Sequence, residues 1–171
     1  SNTDSTYFAL ALNRRLAEAA KVTVHSRQRG FVQGRSIIDN VLEVEGFGQS
    51  YRIAEADTPA IILFYIMATF PSLPHQWLFV VLRKIKAPLR VINALKALYE
   101  DGFATITLGG KRWRRVPILS GIRQGCPASG TLFALAIDPC LRFLIPKIGP
   151  ERGIINAYAD DIAAVIRDLF N

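Results

Sequence analysis

Apolar residues at Phe8, Leu12, Leu16 and Ala19/Ala20 recur at helical spacing from Ser5 to about Val24, while Arg14, Arg15 and Glu18 take the other side. That pattern predicts an amphipathic helix. His25 to Gly34 is polar and glycine-punctuated, a loop, after which Ser36 offers an N-cap for a second helix through Ile37, Ile38, Val41, Leu42 and Val44. Residues 60–66 form a short, continuously apolar, β-branched run after Pro59, as expected of a central strand buried on both faces. Pro74 suits the start of a helix running to about Lys86, and Pro88 starts another through Tyr99. Phe103–Leu108 alternates like a strand, Gly109-Gly110 turns it, and Lys111–Pro117 runs back. Ser129–Leu144 predicts a helix with Pro139 inside it, followed by strands Gly153–Tyr158 and Ile162–Ile166 joined at Ala159-Asp160-Asp161.

The 171 residues suffice for one sizeable core, and half of them are apolar, which excludes disordered and collagen-like classes. Two cysteines, Cys126 and Cys140, with no CxxC pair or Cys/His cluster, suit neither a disulfide scaffold nor a zinc site and point to a reduced, intracellular (nuclear or cytoplasmic) chain. The opening Ser-Asn-Thr-Asp lacks an initiator Met and a signal-peptide pattern, as expected of a piece cut from a longer protein.

The net charge of +7 is uneven. Residues 1–57 carry seven basic against seven acidic side chains and residues 126–171 four against five, whereas the middle carries ten against two, the two acids being Glu100 and Asp101. A basic segment from Arg83 to Arg123 suits a polyanion. Thr58–Leu82 holds no charged residue, which is long enough for a membrane span. Pro59, Pro71 and Pro74, with His75 and Gln76, argue against one.

Tyr158-Ala159-Asp160-Asp161 places adjacent carboxylates at a tight turn between apolar strands, an arrangement that suits either a solvated Asp turn or a cation such as Mg²⁺. Order along the chain bears on the choice. Gln28-Arg29-Gly30-Phe31 and Gly34–Asn40, Leu63–Ser72, Ser120-Gly121-Ile122-Arg123-Gln124-Gly125-Cys126-Pro127 and YADD follow one another as in reverse transcriptases, and the chain most resembles the domain of non-LTR retrotransposons. The resemblance implies an α+β right-hand polymerase piece, with residues 1–57 as fingers and 58–171 as palm. It implies a mostly antiparallel palm sheet with helices on one face and the 103–117 hairpin packed on it. It also implies RNA-directed DNA synthesis with an RNA template, a DNA primer, deoxynucleotides and two Mg²⁺ ions.

Residue by residue, Asp160 and Asp161 match metal-binding catalytic carboxylates, and Gln124 and Gly125 match the loop at the incoming nucleotide. Arg123 matches a phosphate contact, Phe70 the aromatic that excludes a ribose 2′-hydroxyl, and Arg35 with the Gln28–Phe31 loop a template contact. Lys111, Arg112, Arg114 and Arg115, interleaved with Trp113, suit nucleic acid or a charge-guarded strand edge.

The sequence departs from the family at one decisive place. Tyr65 stands where the first metal-binding aspartate belongs, and a phenol with a pKa of about 10 is a poor Mg²⁺ ligand at neutral pH. Asp57, eight residues upstream, would lie on the order of 26 Å away along an extended strand. Met67, Thr69 and Thr6 also depart from the common residues, as do Ala128 and Gly130 more mildly, and the chain ends ten residues after Asp161, before the family's later palm strands and thumb. The expectation is an inactive copy, at least about a thousandfold slower, roughly 4 kcal/mol in barrier. The other expectation is a non-catalytic nucleic-acid-binding module using residues 83–123.

Overall fold

The computed structural model describes residues 3–99 and 102–170. Glu100 and Asp101, the two acids of the basic middle segment, lie outside the described residues.

Helix α1, Thr3–Thr23, buries Ala9, Leu16 and Ala20. Phe8, expected on the inner stripe, is exposed, and Ala9 is buried in its place, on a helix that packs against helix α6 (Ser129–Ile148). Helix α2, Ile37–Ile53, starts where Ser36 accepts from the Ile38 N–H at 3.1 Å. Its apolar residues Ile37, Ile38, Val41 and Leu42 face outward, and its inward row runs through Asn40, Glu43 and Gly48, so polar bonds and close approach dock this helix.

Strand β1 (Ala60–Phe64) pairs antiparallel with β5 (Asp161–Ile166), which pairs antiparallel with β4 (Gly153–Tyr158). The sheet order β1-β5-β4 makes β5 central and β1 an edge. The expectation of a doubly buried central strand is therefore corrected: Ile61, Leu63 and Phe64 are exposed, because the covering helices lie mainly over β4 and reach the edge strand only at its margin. Helix α6 covers one face, seating Leu141 on Ile155, Ala157, Ile162 and Ala164. Helix α2 adds partial cover on the opposite face, where Gly48 faces Ile61 and Glu43 accepts from Asn156 at 3.0 Å.

Short α3 (Thr69–Ser72), α4 (His75–Lys84) and α5 (Leu89–Tyr99) complete the helical layer, with Leu78, Leu82 and Leu95 in one core with Leu132, Phe133 and Leu135 of α6. Helix α6 runs through both Pro139 and Pro146, and the Trp77 indole N–H donates to the Ala136 carbonyl at 2.9 Å beside the turn that Pro139 disturbs. The charge-free run is thus strand and short helices, and among the described residues no helix is long and apolar enough to cross a membrane.

The hairpin of β2 (Phe103–Leu108) and β3 (Lys111–Pro117) forms its own two-stranded sheet. It was expected to pack on the palm sheet, but it stands apart from it, tied at its root where the Ile118 N–H donates to the Gly102 carbonyl at 2.9 Å. Ile106 and Leu108 share one face of β2, with Trp113 opposite Ile106, and this apolar face is left exposed.

Candidate active site

The turn between β4 and β5 presents Asp160, half-buried, and Asp161, exposed. Tyr158 pairs with Asp161, leaving Ala159-Asp160 as a two-residue loop in which only Ala159 has positive φ, at 58°. The Thr69 hydroxyl lies 3.3 Å from a carboxylate oxygen of Asp160, but its single proton goes to the Ile66 carbonyl at 2.5 Å, so it donates little to the acid. The β1–β5 register ends at Phe64 opposite Ile162. Tyr65 is the next residue, just past the end of β1, and is 82% exposed, while Asp161 is the residue before Ile162 on β5.

Two adjacent carboxylates fit one hard dication, with substrate phosphates completing its shell. Among the described residues no group of three or more His, Cys, Asp or Glu side chains comes together to hold a metal.

The Ser120–Pro127 loop is laced to the segment after β1. The Ile122 N–H donates to the Phe70 carbonyl at 2.9 Å, and the Gly121 N–H to that of Leu73 at 2.8 Å. Gly121 has φ 95°, and a side chain there would press on Pro71. The Ser129 hydroxyl donates to the Arg123 carbonyl at 2.6 Å and closes the loop, in which Gly125 also takes positive φ. These bonds bring Phe70, Gln124 and Gly125 to one cavity of about 560 Å³, together with Asn13, Phe31 and Thr131. The Phe70 ring stacks on Phe133 at 4.3 Å and meets Phe31 edge-on at 5.9 Å, so it is a fixed wall.

Arg123 donates weakly to the Leu98 carbonyl at 3.3 Å and lines a neighbouring cavity with His75, Tyr99 and Phe103 at the hairpin root. Lys111, Arg112, Arg114 and Arg115 are exposed on that hairpin, Arg115 lying 5.3 Å over the Phe103 ring. The hairpin residues therefore form a second surface that shares no described cavity with Phe70, Gln124 and Gly125.

Arg35, matched by the resemblance to a template contact, is tied into the chain itself. Its guanidinium donates to four backbone carbonyls, those of His25 at 2.6 Å, Gln28 at 2.7 Å, Val24 at 2.9 Å and Lys21 at 3.0 Å. These are the end of α1 and the loop after it, where helix carbonyls lack internal partners. The loop is further tied by Arg29 and Arg27, which both reach Glu43, at 2.6 and 2.5 Å, while Arg29 also bonds Asn40.

From the sequence alone Asn13 has no role, and Gln28 is only part of a loop matched to template. Asn13 sits beside the apolar stripe of α1, and its buried carbonyl oxygen has no protein partner where it lines the cavity. Gln28 is completely buried against the aspartate turn. A polar residue adjoining an apolar stripe was the only signal for the first, and the second carried none beyond its motif.

The chain matches the reverse transcriptase (RNA-dependent DNA polymerase) family over residues 2–169, and it belongs to that family. It is 29% identical over 98% of its length to the transposon TX1 uncharacterized 149 kDa protein of Xenopus laevis. To the retrovirus-related Pol polyprotein from type-2 retrotransposable element R2DM of Drosophila melanogaster it is 31% identical over 80% of its length. The chain spans 13% of each of these relatives. The structure is similar to that of apo telomerase from Candida tropicalis, with a TM-score of 0.66 at 13% identity, covering 94% of this chain and 35% of that one. This likeness bears out the fingers-and-palm architecture of an α+β polymerase fragment.

Proposed function

We propose that this domain takes part in RNA-templated DNA synthesis of the retrotransposon type as a nucleotide- and template-binding unit whose own two-ion site is incomplete. The observation that carries this reading is the place of Tyr65, one residue past the Phe64–Ile162 pair that ends the ladder beside the aspartate turn. An incoming deoxynucleotide would lie in the 560 Å³ cavity, its sugar against Phe70, with Gln124 and Gly125 offering backbone at the cavity wall and its phosphates extending toward the aspartate turn. Arg123, whose guanidinium is largely free, supplies positive charge beside that loop. A Mg²⁺ ion held by Asp160 and Asp161 would neutralise phosphate charge; without a third carboxylate the primer hydroxyl gains no activation from this chain.

Primer extension on an RNA template tests the reading, with this domain and its Tyr65→Asp variant each placed in the R2DM relative in place of the matching segment. Incorporation by the variant, with background from the parent, is the expected result. Equal incorporation by both would overturn the argument from the missing ligand, and none in either would overturn the polymerase reading.

The hairpin supports a second role. Its four exposed cations around Trp113, standing clear of the body, suit single-stranded nucleic acid.

A further inference from the structure

Asp160 and Asp161 are displayed by a turn that begins with a strained residue. Ala159 has φ 58°, a left-handed conformation that L residues disfavour and that glycine ordinarily fills in such hairpins. Something outside the turn must hold it.

Gln28 does so. Its side chain is 0% exposed and so touches no template. Its Nε2 donates to the Ala159 carbonyl at 3.0 Å, while its Oε1 accepts from the Ala159 N–H at 2.9 Å and from the Gly30 N–H at 2.8 Å. The backbone beside it adds two strand-like bonds to the end of β4: the Ala157 N–H donates to the Arg27 carbonyl at 2.8 Å, and the Arg29 N–H to that of Ala157 at 2.9 Å. Gly30 permits this approach, since a Cβ there would overlap the Ala159 backbone nitrogen.

We propose that Gln28 is a positioning residue for the aspartate pair: by holding both backbone polar groups of Ala159 it keeps the turn left-handed and sets where the two carboxylates point. The link to cation binding rests on the reading of that pair as metal ligands; the link to the turn does not. The task requires an amide, because one donor and one acceptor must face the same residue. Glu offers only acceptors when ionised, Met offers neither, and Asn is a methylene too short.

The test is NMR spectroscopy of the whole chain as wild type, Gln28→Met, Gln28→Met/Ala159→Gly and, as a destabilised control, Leu132→Ala. Two quantities are read: the amide-to-α-proton coupling of Ala159, which reports its φ, and the Mn²⁺ concentration that broadens the Asp160 and Asp161 carboxylate signals. Gln28→Met should lose the left-handed coupling and weaken Mn²⁺ binding by roughly 10- to 100-fold, the usual cost of removing a group that orients a ligand. Ala159→Gly should recover much of that affinity, since glycine takes positive φ without penalty. Leu132→Ala should leave both quantities near wild type at temperatures where it is folded. If Gln28→Met does not fold, the near-isosteric Gln28→Glu carries the same readouts. Retention of the left-handed coupling and of wild-type Mn²⁺ affinity would overturn the proposal, as would an equal loss in Leu132→Ala. Absence of Mn²⁺ broadening in the wild type would remove the cation reading alone, and the coupling of Ala159 would still decide the role of Gln28.

Discussion

Tyr65 follows the last pair of the β1–β5 ladder, Phe64–Ile162, by one residue, and Asp161 precedes the same pair by one residue on the other strand. On the reading of the aspartate turn as a metal site, this place in the register is why the chemistry of residue 65 matters more than that of any other departure. Tyr65→Asp should raise nucleotide incorporation in the chimaeric enzyme by about a thousandfold or more, roughly 4 kcal/mol in barrier. Single-turnover extension measures it.

Arg35→Lys should destabilise the domain by about 2–3 kcal/mol, because an ammonium cannot serve the four carbonyls that the planar guanidinium reaches at once. The same substitution should leave the salt dependence of RNA binding unchanged. Urea denaturation and binding titrations at several salt concentrations separate this structural role from a template contact.

Acid should loosen the junction between the first two helices and the sheet in two stages. Burial, and then the Arg142 charge, lower the His25 pKa from its ordinary 6.5, while its Nδ1 accepts from the Arg27 N–H at 3.2 Å. The unfolded chain therefore takes up this proton first, and stability falls as pH drops below about 6.5 toward the folded value. Burial pushes Glu43 up, but hydrogen bonds from Arg29 and Asn156 and the charges of Arg27 and Arg29 outweigh it, so its pKa is lowered from 4.5. Its contribution is present above pH 4.5 and is lost as pH falls through the folded value. Thermal melts from pH 8 to pH 3.5 should show both stages, and His25→Asn should flatten the upper one.

If the hairpin tracks a nucleic-acid backbone, neutralising Lys111, Arg112 and Arg114 together should reduce the slope of log affinity against log salt by about 2 for single-stranded RNA, near 0.7 per phosphate contact. A triple variant with the parent's slope would show that the hairpin is a solvated edge.

Phe70→Ala should remove the wall between Phe31 and Phe133, costing about 1–3 kcal/mol in stability. It should also narrow the difference in affinity between deoxy- and ribonucleotides, measured by equilibrium binding. Unchanged discrimination in a folded variant would make Phe70 a core residue only.

The order of motifs and the alternation of apolar residues determined the family, the elements and the aspartate turn, because those features are local: a two-residue turn between strands, a proline-started helix and a glycine at positive φ are written in adjacent residues. Which strand lies at the sheet edge, which side of α2 faces inward, and where Arg35 and Gln28 spend their hydrogen bonds were decided only in three dimensions. Ile37, Ile38, Val41 and Leu42 are a plausible inner face until Asn40 and Glu43 find Ala157, Asn156 and two arginines from distant segments. Gln28 is an ordinary loop glutamine until it meets Ala159, 131 residues away. Burial of an uncompensated polar group is too costly to persist, so the partner that satisfies it sets its role, and that partner is chosen by the packing of the whole chain.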